Sequence, residues 1–180
     1  MGSSANMEGR IAARNICGEQ VKYPGVLGTA VARLAGINVG RTGLNESDAR
    51  QQGYDVITAL CVVDDKASYY PGASNFIIKL VADKTTDQFL GLQVIGAGAV
   101  DKVVDIAVMA LSMKAKVADM EDLDLSYAPP FSTAIHPLVT AVNVLKNKMS
   151  GRMDSMTPAE YEAGKAKGFQ IIDLGKSPLH

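Results

Sequence analysis

"NFIIKLVADKTTDQFLGLQVIG", Asn75 to Gly96, is the stretch on which the fold turns. Two short runs rich in β-branched and aromatic residues, "NFIIKLVADK" and "FLGLQVIG", are separated by the polar turn "DKTTDQ", and "ADKTTDQFLG" reads as a hairpin. Upstream, "DVITALCVVDD" has the same character and predicts a further antiparallel strand. Downstream, "AVDKVVDIAVMALSMK" places Val100, Val103, Val104, Ala107, Val108 and Leu111 on one stripe, the mark of an amphipathic helix. "HPLVTAVNVLKNKM" predicts a second helix, stopped by Gly151. Strands followed by helices, rather than strict alternation, give an α+β class: an antiparallel sheet with helices packed on one face.

Toward the N-terminus, "NMEGRIAARNI" has helical spacing and ends near Gly18. "KYPGVLGTAVARLAG" combines a Pro-Gly turn with an apolar segment expected to be helical around Thr29 to Leu34. "INVGRTGL" predicts a strand, and "NESDARQQGY" a short helix with a capping residue, acids in its first turn and a terminating glycine. The tail differs in character. Thr157 caps a helix with Pro158 at its first position and Glu160 three residues after the cap, and the apolar run "FQIIDL" then predicts a strand. These signals place a domain boundary near Gly151. Residues 152–180 form the opening of another unit.

A chain of 180 residues that is 47% hydrophobic is long enough for one domain with a proper core. Lys and Arg total 18 against 19 acids, a net charge of -1, and this offers no basic field to gather nucleic acid or anionic lipid. Cys17 and Cys61 have neither metal-like nor CxxC spacing, so no metal site is expected and a reducing cytoplasm is the default compartment. No apolar run reaches the roughly 18 residues of a membrane span, so a membrane partner is not expected.

Three local features invite a chemical reading. "VIGAGAVDK" stands where a phosphate-binding glycine turn would, after a strand and before a helix, yet it carries only the first two glycines of GxGxxG and follows an antiparallel hairpin. It reads as a tight strand-to-helix connection. "STAIHP" sets His136 near Ser132 and Thr133; an imidazole can carry a proton either way, but neighbours in sequence do not make a triad. The alternative is a helix entrance, with Pro137 at the first helical position and Ser132, Thr133 or His136 satisfying free amides. Tyr69 and Tyr70 precede a Pro-Gly turn, and Tyr127 precedes Pro129 and Pro130; a phenol at such a corner can meet a ligand or only pack its ring. Cys61, in the apolar run "TALCVVDD", reads as a small buried hydrophobe.

Taken together, "GRIAARNICGEQVKYPGVLGTAVARLAGINVGRTGLNESDAR", "SYYPGASNFIIKLV", "FLGLQVIGAGAVDKVVDIAVMALSMK" and "DLDLSYAPPFSTAIHP" resemble the C-terminal part of a pyridine nucleotide-disulfide oxidoreductase. The resemblance covers approximately Asn6 to Gly151. Its branch contains coenzyme A-disulfide reductases, NADH oxidases and NAD(P)H-dependent polysulfide or persulfide reductases. It implies the dimerisation-domain fold and a homodimer with an isologous interface. It also implies a parent enzyme that uses FAD and NAD(P)H through separate FAD and NAD domains, and acts on coenzyme A disulfide or a sulfur substrate. None of those cofactors is expected on this stretch, which is expected to be inactive alone. By the same likeness, residues 1–18 match the last helix of an FAD domain, residues 19–151 the dimerisation domain, and residues 152–180 a linker and the truncated start of a rhodanese-like domain.

The resemblance further implies site residues. "YYPG" and "SYAPP" match the surroundings of two tyrosines that reach across the dimer to the partner's redox cysteine, which nominates Tyr69 and Tyr127 in trans, with Tyr70 as the alternative to Tyr69. His136 is a weaker candidate. Relatives of this branch often carry an acid before that proline, whereas the glutathione reductase branch uses a partner-supplied His-Pro pair as acid and base. Two other readings stand beside the reductase fragment: a free-standing binding or assembly module sharing the fold, and an autonomous acid/base enzyme built on His136.

Overall fold

A computed structural model describes residues 2–172. Five strands form one antiparallel sheet: β1 (Ala30–Leu34), β2 (Ile37–Gly43), β3 (Val56–Asp64), β4 (Asn75–Asp83) and β5 (Phe89–Gly96), in the order β1-β2-β5-β4-β3. The expected hairpin is β4–β5, with Ile78 opposite Val94 and Leu80 opposite Leu92. Its turn is held by the buried Asp83 carboxylate, which accepts from Thr86 Oγ1 at 2.5 Å and from the amides of Asp55 and Thr85. These bonds favour the ionised form, and they hold the Asp83 carboxyl below its ordinary range despite the cost of burial.

Alternation along the strands decides which side chains are buried. Phe76, Ile78 and Leu80 of β4 point to one face with Ala59 and Cys61 of β3 and Leu92 and Val94 of β5, and all are buried. Two helices cover that face, α3 (Val100–Ser112) on β2 and β5 and α4 (Pro137–Met149) on β3 and β4. Val100, Val103, Val104 and Ala107 supply the buried stripe of α3, and Leu138, Ala141, Val142 and Leu145 that of α4. The α+β architecture, with its two long helices on one face, is therefore as the sequence predicts.

Ile78 is completely buried at the centre of this layer. Ile78→Ala is expected to cost about 3 kcal/mol, the transfer and cavity terms together, measured as a lower urea midpoint with an unchanged m-value.

The short helix α2 (Glu46–Gln51) is capped by Asn45, whose Oδ1 accepts from Asp48 N at 2.8 Å. It closes one end of the opposite face, where Ala49 meets Val56, Val81 and Leu90 and Glu46 pairs with Lys79 at 2.7 Å. Hydrogen bonds from Lys79 and Arg50 lower the Glu46 pKa. At the N-terminus, α1 (Gly2–Ile16) buries no residue, and Gly18 follows it at φ +98°. Gly151, at φ +71°, ends α4 as expected.

The helix expected around Thr29 to Leu34 is corrected: residues 30–34 are β1. Ala35 and Gly36 take φ of 47° and 86°, the two-residue turn that matches strand twist, and Leu34 pairs with Ile37 beyond it. An edge strand exposed at every position has no buried face to impose alternation, so its apolar residues carry no period.

In the tail, α5 (Pro158–Glu162) forms with the expected capping box, Glu160 N donating to Thr157 Oγ1 and Thr157 N to Glu160 Oε2. Lys165 and Thr157 together bring the Glu160 pKa down to about 2. The strand expected from "FQIIDL" does not form over Phe169–Ile172, where no neighbouring strand among the described residues is placed to pair it. Asp173 and Leu174 lie outside the described residues.

Candidate functional site

The segment from Leu125 to Leu138 runs across the end of the two-helix layer and enters α4 at Pro137. His136 is the N-cap of that helix: its Nδ1 accepts the Leu138 N–H at 3.2 Å, and its carbonyl accepts from Thr140 N. With the Nδ1 lone pair so used, the neutral ring carries its proton on Nε2. Only 6% of His136 is exposed. Burial, and secondarily the positive charge of Lys102, lower its pKa to about 4, so the imidazole is neutral at pH 7.

Ser132 and Thr133 do not join His136 in a triad. The Thr133 hydroxyl donates to Ile135 O at 2.5 Å, and the buried Ser132 Oγ has no partner among the described residues. The helix-entrance alternative is the one realised, with His136 as the capping side chain. An acid/base enzyme built on these three residues has no assembled geometry here.

Tyr127 stands on the same segment, 51% exposed, in a cleft of about 400 Å³ with Lys102, Ser126, Ala128 and Phe131. Beside it lies a smaller cavity of about 140 Å³, lined among others by Asp65, Lys66, Lys102, Phe131 and His136. Lys102 and Phe131 belong to both. The structure thus brings Tyr127 and His136 to one place, joined by Lys102 from the first turn of α3.

Tyr69 is 77% exposed on the β3–β4 loop and lines neither space; Tyr70, whose N–H bonds to Ala67 O at 2.8 Å, belongs to the same loop. Lys66, three residues before Tyr69, does line the smaller cavity. Lys66, Lys102 and Asp65 carry no local sequence signal. They meet only because the β3–β4 loop folds against the start of α3.

The Gly96–Gly98 turn is a strand-to-helix connection. A Cβ on Gly98 would sit 2.5 Å from Asp65 Oδ2 and 3.1 Å from the Phe76 ring. The space a phosphate would need is filled by the chain's own side chains, so this turn does not fit a dinucleotide. Cys61 is buried in the core and desolvation raises its pKa, which disfavours a thiolate; Cys17 is exposed. Among the described residues, no cluster of His, Cys, Asp or Glu could hold a metal ion, and no helix is long and apolar enough to cross a membrane.

A five-stranded antiparallel sheet roofed by two helices, with a half-exposed tyrosine at the helix entrances, defines an α+β domain of the dimerisation type. The chain belongs to the pyridine nucleotide-disulphide oxidoreductase dimerisation-domain family, whose family model matches residues 30–139. It is 37% identical over 143 residues to a CoA-dependent NAD(P)H sulfur oxidoreductase of Pyrococcus furiosus, covering 79% of this chain and 32% of that protein. A coenzyme A polysulfide/persulfide reductase of Pyrococcus horikoshii is 38% identical over 143 residues, again 79% of this chain and 32% of the relative. Among solved structures, an NAD-dependent persulfide reductase from A. fulgidus superposes with a TM-score of 0.86 at 34% identity, over 89% of this chain and 30% of that one. The chain therefore spans about a third of the length of the relatives it matches.

Proposed function

We propose that this chain is the dimer-forming third of an FAD- and NAD(P)H-dependent reductase of coenzyme A disulfide, persulfide or polysulfide, and that it lends Tyr127, with Tyr69, to the active site of a second copy. One observation carries the reading: the Tyr127 phenol is half exposed on a proline-held corner, with Lys102 beside it in the same cleft. The relatives, a CoA-dependent NAD(P)H sulfur oxidoreductase and an NAD(P)H coenzyme A polysulfide/persulfide reductase, suggest the substrate class.

FAD and NAD(P)H supply the electrons in such an enzyme. The Gly96–Gly98 turn does not offer them a dinucleotide cradle, since Asp65 and Phe76 pack against Gly98. The contribution of this chain is at the sulfur. When a disulfide is reduced, one sulfur leaves as a thiolate, and a hydrogen bond from the Tyr127 hydroxyl stabilises that charge or returns a proton to it. Lys102 adds a positive field, and His136 positions the segment by capping α4. Residues 152–180 are read as a linker and the start of a rhodanese-like sulfurtransferase unit, supported by the Thr157–Glu160 capping box at the head of α5.

The test is made in the full-length enzyme. Tyr127→Phe is expected to lower kcat about 10- to 100-fold with the dimer intact by sedimentation. A mixed dimer then separates the two copies: one subunit carries Tyr127→Phe, the other lacks the redox cysteine. If the phenol acts across the interface, one of the two sites is complete and about half the activity returns. If the phenol acts within its own chain neither site is complete, and an inactive mixed dimer rejects the reading.

A further inference from the structure

The face of the sheet turned away from α3 and α4 carries a continuous aliphatic row. Val62 of β3 stands opposite Ile77 of β4, Ile77 opposite Ile95 of β5, Ile95 opposite Val39 of β2, and Val39 opposite Ala32 of β1. Residues opposite one another across a sheet share a face, so these five form one line across all five strands. Val62, Ile77 and Ile95 are 66%, 45% and 37% exposed. Helix α2 packs on Val81 at one end of this face and leaves the row open.

An antiparallel sheet with one solvated face carries polar side chains on that face. β4 departs from this rule. From Phe76 to Ala82 it is broken only by Lys79, the pattern of a strand covered on both sides. The adjacent row, Leu60, Lys79, Gln93 and Arg41, is mixed, and with Ile77 and Ile95 it lines a shallow depression of about 380 Å³. Lys79 pairs with Glu46, whereas Arg41 reaches only Gly43 O, at 3.5 Å, and forms no ion pair among the described residues. An aliphatic row bordered by polar groups has the composition of a contact between domains of one chain, which is more polar than an obligate subunit interface.

The position of Tyr127 assigns the occupant. Its cleft includes Lys102 of α3, so it stands on the helix side of the sheet. Two copies joined through the open face would turn both helix layers outward and carry each Tyr127 away from the other copy. A second copy that receives Tyr127 therefore lies elsewhere, and the open face is left for the subunit's own chain.

We propose that this open face is the docking surface for the remaining two-thirds of the same subunit, which presents an apolar patch with a carboxylate placed to meet Arg41. The proposal rests on the reading of this chain as one third of a longer reductase, in line with relatives of which it spans about a third.

Ile77→Cys and Val62→Cys are each labelled with a maleimide in the 180-residue chain and in the full-length enzyme. Mass spectrometry locates the modified residue, because Cys17 is exposed and labels as well. Both introduced thiols are expected to react readily in the 180-residue chain and about 100-fold more slowly in the full-length enzyme, where reaction waits for the domains to part. Adding Ile77→Lys to the full-length Val62→Cys enzyme is expected to restore labelling at least about tenfold, with the dimer intact by sedimentation. Equal rates in the two proteins overturn the proposal. Protection in the 180-residue chain that disappears on dilution, or a full-length Ile77→Lys enzyme that sediments as a monomer, assigns the face to a second copy and also overturns it. An inactive mixed dimer removes the trans-acting tyrosine but leaves slow labelling of the full-length enzyme standing, whereas rapid labelling removes this docking face and leaves the tyrosine untouched.

Discussion

Gly43→Ala is expected to cost about 3–5 kcal/mol, enough to consume much of the stability of a domain this size. Gly43 ends β2 at φ +71°, a conformation that alanine adopts only with strain. A Cβ there would lie 2.3 Å from Leu90 O, 2.9 Å from Gly91 Cα and 2.8 Å from Leu111 Cδ1. The first two of these atoms are backbone and cannot step aside without breaking the adjacent bond from Leu44 N to Leu90 O at 2.9 Å. The melting temperature should fall by roughly 10–15 °C. Gly53→Ala is the control: its φ is +87°, yet nothing lies within 4 Å of the added methyl, so only about 1 kcal/mol of backbone strain is expected. Equal losses in the two variants would show that the crowding at Gly43 does not matter.

The second large effect is a loss of stability in acid that belongs to His136. Its pKa in the folded chain is about 4, against an ordinary 6.5. Because the folded value is depressed, the unfolded chain takes up the proton first as pH falls. The contribution is thus fully present above pH 6.5 and is lost progressively between pH 6.5 and 4. Its size is at most about 3 kcal/mol. Lys66, Lys102 and Asp65 share the cavity with the ring, and His136→Asn leaves those groups in place. Asparagine caps helices well and does not titrate in this range, so the variant is expected to lose less stability than the original chain between about pH 7 and about pH 4.5. Chemical denaturation of both chains across that window measures the difference. Parallel curves would mean that the ring is not held neutral by its surroundings.

Most of the sheet and both covering helices were legible because their residues repeat with the period of the structure they form. The stripe from Val100 to Leu111 and the runs flanking "DKTTDQ" each face a buried layer, and burial imposes the pattern. Where burial is missing, so is the pattern. β1 is exposed along its whole length, so the segment from Thr29 to Leu34 reads locally as a helix, whereas Ala35 and Gly36 turn it back onto β2.

The site was legible in part, for the same reason. Tyr127, Tyr69 and His136 stand out in sequence because prolines and a Pro-Gly turn single them out. Their roles are not local. Nothing in "DDKASYY" or "AVDKVV" announces that Lys66 and Lys102 line one cavity with His136. Nor does "STAIHP" say which of its polar side chains caps the helix, since that depends on the path of the backbone between Pro130 and Pro137.

The sequence by itself determined the α+β class, the order of the long elements and the family, because hydrophobic period, turn residues and motif order act over a few residues at a time. Tertiary structure alone decided that the glycine turn is filled by Asp65 and Phe76, and that His136 is buried and neutral. It also decided that Lys102 joins the tyrosine cleft to the histidine cavity. Each of these depends on groups distant in sequence sharing one desolvated space, where dielectric, charge and steric contact are set by the fold.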